Sequence, residues 1–232
     1  MDEHVKPASA RRRYNAPRRQ AAAAMTRRNI ISAAEQLFVE RGYAATTMAA
    51  IAEAAGVSHE TVYATFGPKP TLFRYLVETA LSGTDQPVPA LERDIVRQVR
   101  AEPDPGRILD HFAHTVRLLH QRLAPLFDVL SDGARTDPDL KAFADELSSR
   151  RVGHMRAFVA DLTAKGGLRQ DVSIELATDM IWAMNSSQFY LLYVRDRGWT
   201  PEVFEHWLAD AWKRLLLPLS APADHANDES SA

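Results

Sequence analysis

Three consecutive polar residues, Ser58, His59 and Glu60, carry the functional groups of nucleophilic and acid–base catalysis. Consecutive residues on a helix point in different directions, so these side chains cannot converge on one reacting atom as a catalytic triad does. The chain also has no phosphate-binding loop, no dinucleotide-binding fingerprint and no HExxH motif. The sequence therefore predicts a binding protein without catalytic residues and without a cofactor.

The residues around this polar run predict a helix-turn-helix. Apolar residues recur at helical spacing over 30–38, Thr46 or Thr47 can cap a second helix, and Gly56 ends it. Ser58 can cap a third, short helix, and Pro68 stands at a favoured first-turn position for a fourth. Two short helices that meet at a glycine turn form a helix-turn-helix, whose second helix can enter the major groove of DNA with its N-terminus first.

Short polar side chains at the start of the third helix are candidates for contacts with base edges, and nearby hydroxyl groups and cations are candidates for phosphate contacts. Lys69 adds a cation at the start of the next helix, which favours a contact with the DNA backbone. Glu60 has two interpretations: its carboxylate accepts a hydrogen bond from a cytosine amino group, or it only complements the helix N-terminus. The predicted DNA-binding residues are Thr46, Thr47, Ser58, His59, Glu60, Thr61, Tyr63, Lys69, Arg27 and Arg28.

The stretch AAEQLFVERGYAATTMAAIAEAAGVSHETVYATFGPKPTLF, residues 33–73, resembles the helix-turn-helix signature of the TetR/AcrR family of bacterial transcriptional regulators. The resemblance covers residues 26–80. It implies a homodimer that binds a palindromic operator on double-stranded DNA, usually as a repressor released by a small-molecule effector. The alternatives are an activator of the same type and a helical small-molecule-binding or scaffold protein with a vestigial DNA-binding head. Thr65 replaces a common histidine or tyrosine of the family, which predicts a weaker phosphate contact there. The family's DNA contacts carry over to Thr47, to residues 58–61, to Tyr63 and to Lys69.

Charge is divided unevenly along the chain. Residues 1–75 hold 11 Lys and Arg against 6 Asp and Glu, and the remainder holds 17 against 24. A basic first third favours an anionic partner, whereas a basic tail that merely aids solubility is the alternative. The arginines of the N-terminal arm accordingly either follow the minor groove and attract phosphates, or contribute little.

The patterns together predict an all-α fold, in which a three-helix helix-turn-helix domain precedes a larger helical domain. No stretch shows the alternation typical of strands. We expect a flexible basic arm over residues 1–24, the DNA-binding domain over 25–84, a ligand-binding and dimerisation domain over 85–219, and a disordered tail over 220–232.

The last two long helices are predicted over 171–194 and 200–219. Residues 180–194 are apolar nearly all round, which a surface helix of a monomer would not tolerate. Burial between subunits, in the intersubunit four-helix bundle that the family resemblance implies, is one explanation, and a single bulky core is the other. The predicted dimer-interface residues are Ile181, Leu192, Phe204, Trp207, Leu208, Trp212 and Leu215.

A ligand pocket is expected between the helices that start near Arg107, Asp139 and Asp171. Each lining residue has a plain core role as its alternative. His111 and His114 lie three residues apart, but two histidines are too few for a metal site, so no metal is predicted. The predicted ligand-binding residues are His111, Phe112, Met155, Phe158, Trp182, Asn185 and Gln188.

Composition limits the cellular setting. The chain has no cysteine, which excludes disulfides and thiolate metal sites and fits a reducing compartment. No apolar run approaches the ~18 residues that span a bilayer. We therefore expect a cytoplasmic protein that does not interact with membranes.

Overall fold

A computed structural model describes residues 10–84, 86–89 and 92–218. Within these residues every regular element is a helix and no strand occurs, so the predicted all-α class is confirmed. A π-helical turn, Leu192–Asp196, directly follows α9. The α-helices are α1 (Ala10–Ala45), α2 (Met48–Ala55), α3 (His59–Phe66), α4 (Lys69–Ser82), α5 (Asp94–Ala101), α6 (Pro105–Gly133), α7 (Pro138–Ala164), α8 (Ile174–Met184), α9 (Ser187–Leu191) and α10 (Pro201–Leu216).

The chain divides into two compact units. The first, which we call the head unit, comprises Met1–Val88 and Arg122–Glu146, and the second, the body unit, comprises Pro89–Gln121 and Leu147–Ala232. The head unit therefore contains the four N-terminal helices and, in addition, parts of α6 and α7. These two long helices contribute residues to both units.

Helix α1 begins at Ala10, well before the apolar repeat that starts near residue 30. Residues 10–24, expected to belong to a flexible arm, are helical because alanine and arginine, which dominate them, are strong helix formers. Residues 1–9 of that arm, and the predicted tail over 220–232, lie outside the described residues. At the other end of α1, Gly42 has a φ of 78°, which interrupts regular helix geometry as a glycine permits.

The core of the head unit is a cluster of apolar residues from α1 to α4. Phe38, at the end of α1, stacks on Tyr43 with 5.7 Å between ring centroids and meets Phe73 edge-on at 5.0 Å. Such aromatic pairs add to the stabilisation from burial alone. Fully buried members of this core are Ile30, Ala34, Phe38, Ile51, Val62, Leu72, Phe73 and Val77.

The body unit breaks the single helix that the sequence predicted over 171–194. Ser173 caps α8, which ends at Met184, and Ser186 then caps α9 by accepting a hydrogen bond from the Phe189 backbone N–H. Asn185, with φ −93° and ψ 53°, lies at the break and is buried. Serine and asparagine side chains compete with helix hydrogen bonds, which explains the interruption at these residues.

Candidate nucleic-acid interface and effector site

Local hydrogen bonds build the turn between α2 and α3. Thr47 caps α2, since its hydroxyl accepts from the Ala50 N–H at 3.1 Å. Gly56 takes the left-handed conformation with a φ of 67°, which ends α2. Ser58 then caps α3 by accepting from the Thr61 N–H at 3.2 Å. The predicted turn and both predicted caps are confirmed.

Helix α3 has one buried face and one exposed face. Val62 and Phe66 are buried, while Tyr63 is 45% exposed. The Tyr63 ring lies 4.9 Å from the His59 ring, on the open side of the helix. The predicted recognition residues Ser58, His59, Glu60 and Tyr63 are all exposed, and Thr61 is half-buried.

The Glu60 carboxylate lies at the N-terminus of α3. Hydrogen bonds from its own backbone N–H and from the Ser58 side chain hold the pKa of Glu60 below its ordinary value. This geometry satisfies the helix-start interpretation of Glu60. A contact with cytosine stays a prediction.

Thr46 does not belong to the interface predicted for it. Its side chain is completely buried, and its hydroxyl donates to the carbonyls of Leu37 at 3.0 Å and Gly42 at 2.8 Å. Thr46 therefore stabilises the end of α1, and its hydroxyl is not available to DNA. Thr47, the next residue, is exposed.

The Lys69 ammonium group closes the junction between α1 and α2. Its Nζ donates to the carbonyls of Tyr43 at 2.9 Å and Thr46 at 3.0 Å, and it lies 4.2 Å from the centroid of the Tyr43 ring. Burial lowers the pKa of Lys69, which a nearby carboxylate of Asp137 partly opposes. An ammonium group has three N–H donors, and these carbonyls use two of them, so the predicted phosphate contact would use the third.

The two arginines predicted to contact DNA differ in their surroundings. The Arg27 guanidinium lies over the rings of Phe66 and Tyr75, at 4.3 and 4.6 Å from their centroids. Its faces are therefore used in packing, which the sequence did not indicate. Arg28 is exposed. Thr65, at the position where the family resemblance predicts a weaker contact, donates its hydroxyl to the Thr61 carbonyl at 2.7 Å.

Two arginines join α4 to α6 and α7 inside the head unit. Arg122 of α6 donates to the carbonyl of Ala80, near the end of α4, at 3.3 Å. Arg74 of α4 forms a two-pronged ion pair with Glu146 of α7, at 3.2 and 2.7 Å, and lies 4.1 Å from the centroid of the Phe143 ring. Sequence reasoning missed these residues because no local pattern connects partners so distant along the chain.

A close approach between α1 and the α6–α7 connection completes the head unit. A side-chain carbon at Gly133 would lie 2.4 Å from Leu140 Cδ1 and 3.5 Å from Tyr43 Cβ, so a larger residue there would displace the end of the Leu140 side chain. Burial, aided by the charges of Asp137 and Asp139, raises the pKa of Tyr43 to about 12. The position of Tyr43, and hence of Lys69, thus depends on α6 and α7.

In the body unit, five of the seven predicted ligand-binding residues take part in buried or half-buried contacts. Phe112 and Phe158 stack with 4.1 Å between centroids, and the Asn185 amide donates to Met155 Sδ at 3.4 Å. Trp182 lies beneath the Arg151 guanidinium, at 4.6 Å. His111 and Gln188 do not join them: both are exposed, and His111 Nε2 lies 3.7 Å from Glu102.

His120 links this buried polar network, and sequence reasoning missed it because a single histidine in an apolar stripe has no local signature. Burial lowers the pKa of His120 to about 4, and the Arg151 charge adds to the effect, so the ring is neutral near pH 7. Nε2 lies 3.1 Å from Asn185 Oδ1, an acceptor, so Nε2 carries the proton. Nδ1 then accepts from the Ser187 hydroxyl at 3.2 Å.

Most of the predicted dimer-interface residues are core residues of the single chain. Ile181, Phe204, Leu208 and Trp212 are all completely buried within the chain itself. For these four, the alternative of a bulky core is correct, because the aromatic and aliphatic side chains of α8 to α10 bury one another. Trp207 is half-buried, whereas Leu192 and Leu215 are 51% and 39% exposed.

Comparison with known proteins agrees with this architecture. Residues 30–76 match the family of bacterial regulatory proteins called the tetR family. No curated protein matches the sequence. Among the described residues, no helix has the length and apolar character needed to cross a membrane.

Solved structures share the fold over most of the chain. NalD, the secondary repressor of the MexAB-OprM multidrug efflux pump in Pseudomonas aeruginosa, is 23% identical over 85% of this chain and 98% of NalD, with a TM-score of 0.64. The fatty acid degradation regulator FadR from Bacillus halodurans is 19% identical over 81% of this chain and 94% of FadR, with a TM-score of 0.63. The MbdR regulator from Azoarcus sp. CIB is 22% identical over 83% of this chain and 100% of MbdR, with a TM-score of 0.62.

The fold and the exposed helix α3 define a DNA-binding transcriptional regulator with a helix-turn-helix. Its DNA-binding domain is that of the tetR family, as the resemblance predicted.

Proposed function

We propose that the protein is a repressor that binds a palindromic operator as a homodimer and leaves the operator when a small molecule binds in the body unit. The observation that carries the proposal is the exposed polar start of α3, set by the caps at Thr47 and Ser58. The fold shared with NalD, itself a repressor, supports the direction of regulation.

Recognition of the operator would divide between two kinds of contact. Ser58 and His59 at the start of α3 are placed to reach base edges in the major groove, where short polar side chains discriminate base pairs. Thr47, Tyr63, Arg28 and the free N–H of Lys69 would contact phosphates and fix the position of α3 on the duplex.

Exposed apolar residues of the body unit, as well as the resemblance, support a homodimer. The exposed apolar side chains of α8, the π-helical turn and α10 are Leu176, Leu192, Val203 and Leu215. Exposed apolar residues on successive elements favour pairing with a second copy. Two copies would present two α3 helices to half-sites about one turn of DNA apart, which requires a palindrome.

Effector binding would act on the head unit through α6 and α7, which contribute residues to both units. A shift of α6 pulls on the Arg122 contact at the end of α4, and a shift of α7 pulls on the ion pair between Arg74 and Glu146. Helix α4 then carries the helix-turn-helix with it, and the distance between the two α3 helices in the dimer no longer matches the operator.

Selection of operators from random double-stranded DNA at two salt concentrations tests the proposal. We expect a palindrome to be enriched and its affinity to fall steeply with salt. His59→Ala should relax the preference at defined positions, whereas Gln188→Ala, on an exposed residue of the body unit, should leave operator binding unchanged. Absence of any enriched palindrome, together with retention that salt does not affect, would refute it.

A further inference from the structure

The interior of the body unit contains an indole donor without an acceptor. Trp182 Nε1 is buried and has no hydrogen-bond partner among the described residues. A buried N–H without a partner is costly, so this donor is suited to an acceptor on a bound molecule. Trp212 Nε1 is also without a partner, but its side chain is completely enclosed.

A cation without a counter-ion lies directly against this indole. The Arg151 guanidinium is 4.6 Å from the centroid of the Trp182 ring, and its Nη1 donates to the Asn185 backbone carbonyl at 2.6 Å. In the described part of the chain, no carboxylate forms an ion pair with Arg151. Burial lowers the pKa of Arg151 to about 10, and no acidic group opposes the shift. Arg151 therefore lacks an anion.

Among the described residues no acceptor lies within hydrogen-bond distance of Trp182 Nε1, and the neighbouring polar side chains bond to one another. Asn185 Oδ1 accepts from His120, His120 Nδ1 accepts from Ser187, and the Asn185 amide donates to Met155. The Asn185 carbonyl is taken by Arg151 itself. In the described part of the chain, Trp182 Nε1 has no acceptor and the Arg151 guanidinium donates only through Nη1, so the open capacity of this pair is donor capacity.

The surface of α7 beyond this pair of donors is apolar. Arg151, Met155 and Phe158 follow one another at spacings of four and three residues, so they lie along one face of the helix. Phe158 stacks on Phe112, which in turn stacks on Trp212 with 5.2 Å between centroids. A molecule whose charged end meets Arg151 would therefore have apolar and aromatic side chains along the rest of its length.

We propose that the ligand of the body unit is a small monocarboxylic acid with an apolar body. Its carboxylate accepts hydrogen bonds from Arg151 and from Trp182 Nε1, and its apolar body packs along Met155 and Phe158. One guanidinium balances one negative charge, which favours a carboxylate over a doubly charged phosphate. The term effector for this ligand rests on the proposed function, whereas the chemical class of the ligand does not.

Calorimetric titration of the full chain with matched acids and amides tests the proposal. The probes are 3-phenylpropionate, cyclohexanecarboxylate and octanoate, each beside its primary amide, which keeps the shape and removes the charge. We expect at least one acid to bind and its amide to bind about 10-fold to 100-fold more weakly, as for the loss of a charge-assisted hydrogen bond. Equal affinity of acid and amide, or no binding of any acid up to about 1 mM, overturns the proposal.

Two variants test which side chains donate hydrogen bonds to the carboxylate of the ligand. Trp182→Phe keeps the ring beneath Arg151 and removes only the N–H, and Arg151→Lys keeps a charge but loses the planar fork. Both substitutions should weaken binding of the acid more than binding of the amide. General damage to the fold would not produce this difference. Gln98→Ala, at an exposed residue of α5 outside the predicted ligand-binding set, is the control. Acid affinities equal to those of the parent protein in both variants would also overturn the proposal.

Operator binding, measured beside these titrations, separates this proposal from the proposed function. If an acid binds as described but the protein has no operator, the function fails and the ligand class stands. If an operator is found and the acids bind no better than the amides, the ligand class fails alone. If the acid releases the parent protein from the operator but does not release the Trp182→Phe variant, the result would support both the ligand class and the proposed function.

Discussion

The head unit and the body unit use their polar side chains in opposite ways. In the head unit, Thr47 and Ser58 cap short helices through hydrogen bonds to backbone three residues away, and their neighbours on α3 face outward. In the body unit, His120 and Asn185 hydrogen-bond across 65 residues of chain inside an apolar core. The head unit thus presents polar groups at its surface, whereas the body unit holds them in its interior.

The two units also differ in how well the sequence around a residue predicts the role of that residue. Lys69 looks like a surface cation at a helix start, yet two of its donors belong to the carbonyls of Tyr43 and Thr46. Even within the head unit, therefore, a charged group near the surface forms hydrogen bonds that stabilise the fold. Substitutions that separate effects on stability from effects on binding test this difference between the units.

The largest effect is expected from the body core. Trp212→Ala removes a completely buried ring that stacks on Phe112, and should lower the free energy of unfolding by about 4 kcal/mol. Denaturant unfolding measures this loss. Gln188→Ala, which removes an exposed side chain, should change stability by less than about 0.5 kcal/mol. Equal effects of the two would show that α10 is not part of the core.

The next effect concerns pH and the buried histidine. The pKa of His120 falls from 6.5 to about 4 on folding, so the unfolded chain binds the proton more readily. The stabilisation is fully present above pH 6.5 and is lost as the pH falls toward 4, by about 3 kcal/mol. Unfolding in denaturant between pH 7 and 4 measures it, compared with His120→Gln, in which this contribution should vanish. The same pH dependence in the variant would contradict the assignment.

A smaller effect is expected at Lys69. Lys69→Met removes two hydrogen bonds from an ammonium group to carbonyls and should destabilise the head unit by about 2 kcal/mol. It should also weaken binding to all DNA sequences alike. The matched control is Lys141→Met, which breaks an exposed pair with Asp145 and should cost less than about 0.5 kcal/mol. Unchanged stability of Lys69→Met would restore a purely DNA-binding role for this lysine.

The smallest effects come from two adjacent threonines. Thr46→Val and Thr47→Val should each destabilise the protein by about 1 kcal/mol, the first through lost hydrogen bonds at the end of α1 and the second through a lost cap. Only Thr47→Val should reduce operator affinity at a temperature where both variants are folded. Operator titration with the two proteins makes this comparison. A loss of affinity in Thr46→Val equal to that in Thr47→Val would return Thr46 to the interface.

Much of the head unit was predictable because its structure is built from local signals. Caps, the glycine turn and apolar spacing act over three to five residues, so the bounds of α2 and α3 follow from the sequence around Thr47, Gly56 and Ser58. The burial of Thr46 was not predictable in the same way. Adjacent threonines are chemically identical, and only the packing of α1 against α2 places one inside and the other outside.

The body unit was less predictable, because its contacts join distant segments. Apolar character identified α8 and α10, but it could not separate burial within one chain from burial between two, since both remove the same side chains from water. Ile181 and Phe204 were assigned to a subunit interface and lie in the core. The break at Asn185 was missed because the apolar pattern on both sides continues at helical spacing, although Asn185 and Ser186 favour caps over helix interiors.

The sequence by itself determined the all-α class, the helix-turn-helix and its family, because helix periodicity and capping are local and the motif is contiguous. Which polar groups form hydrogen bonds or ring contacts within the fold depends on the tertiary structure. Lys69 faces two carbonyls, Arg27 lies against two rings, and Arg151 lies over Trp182, because each of these groups meets partners that are distant from it along the chain. Hydrogen bonding and desolvation depend on distance in space, which spacing along a chain does not specify.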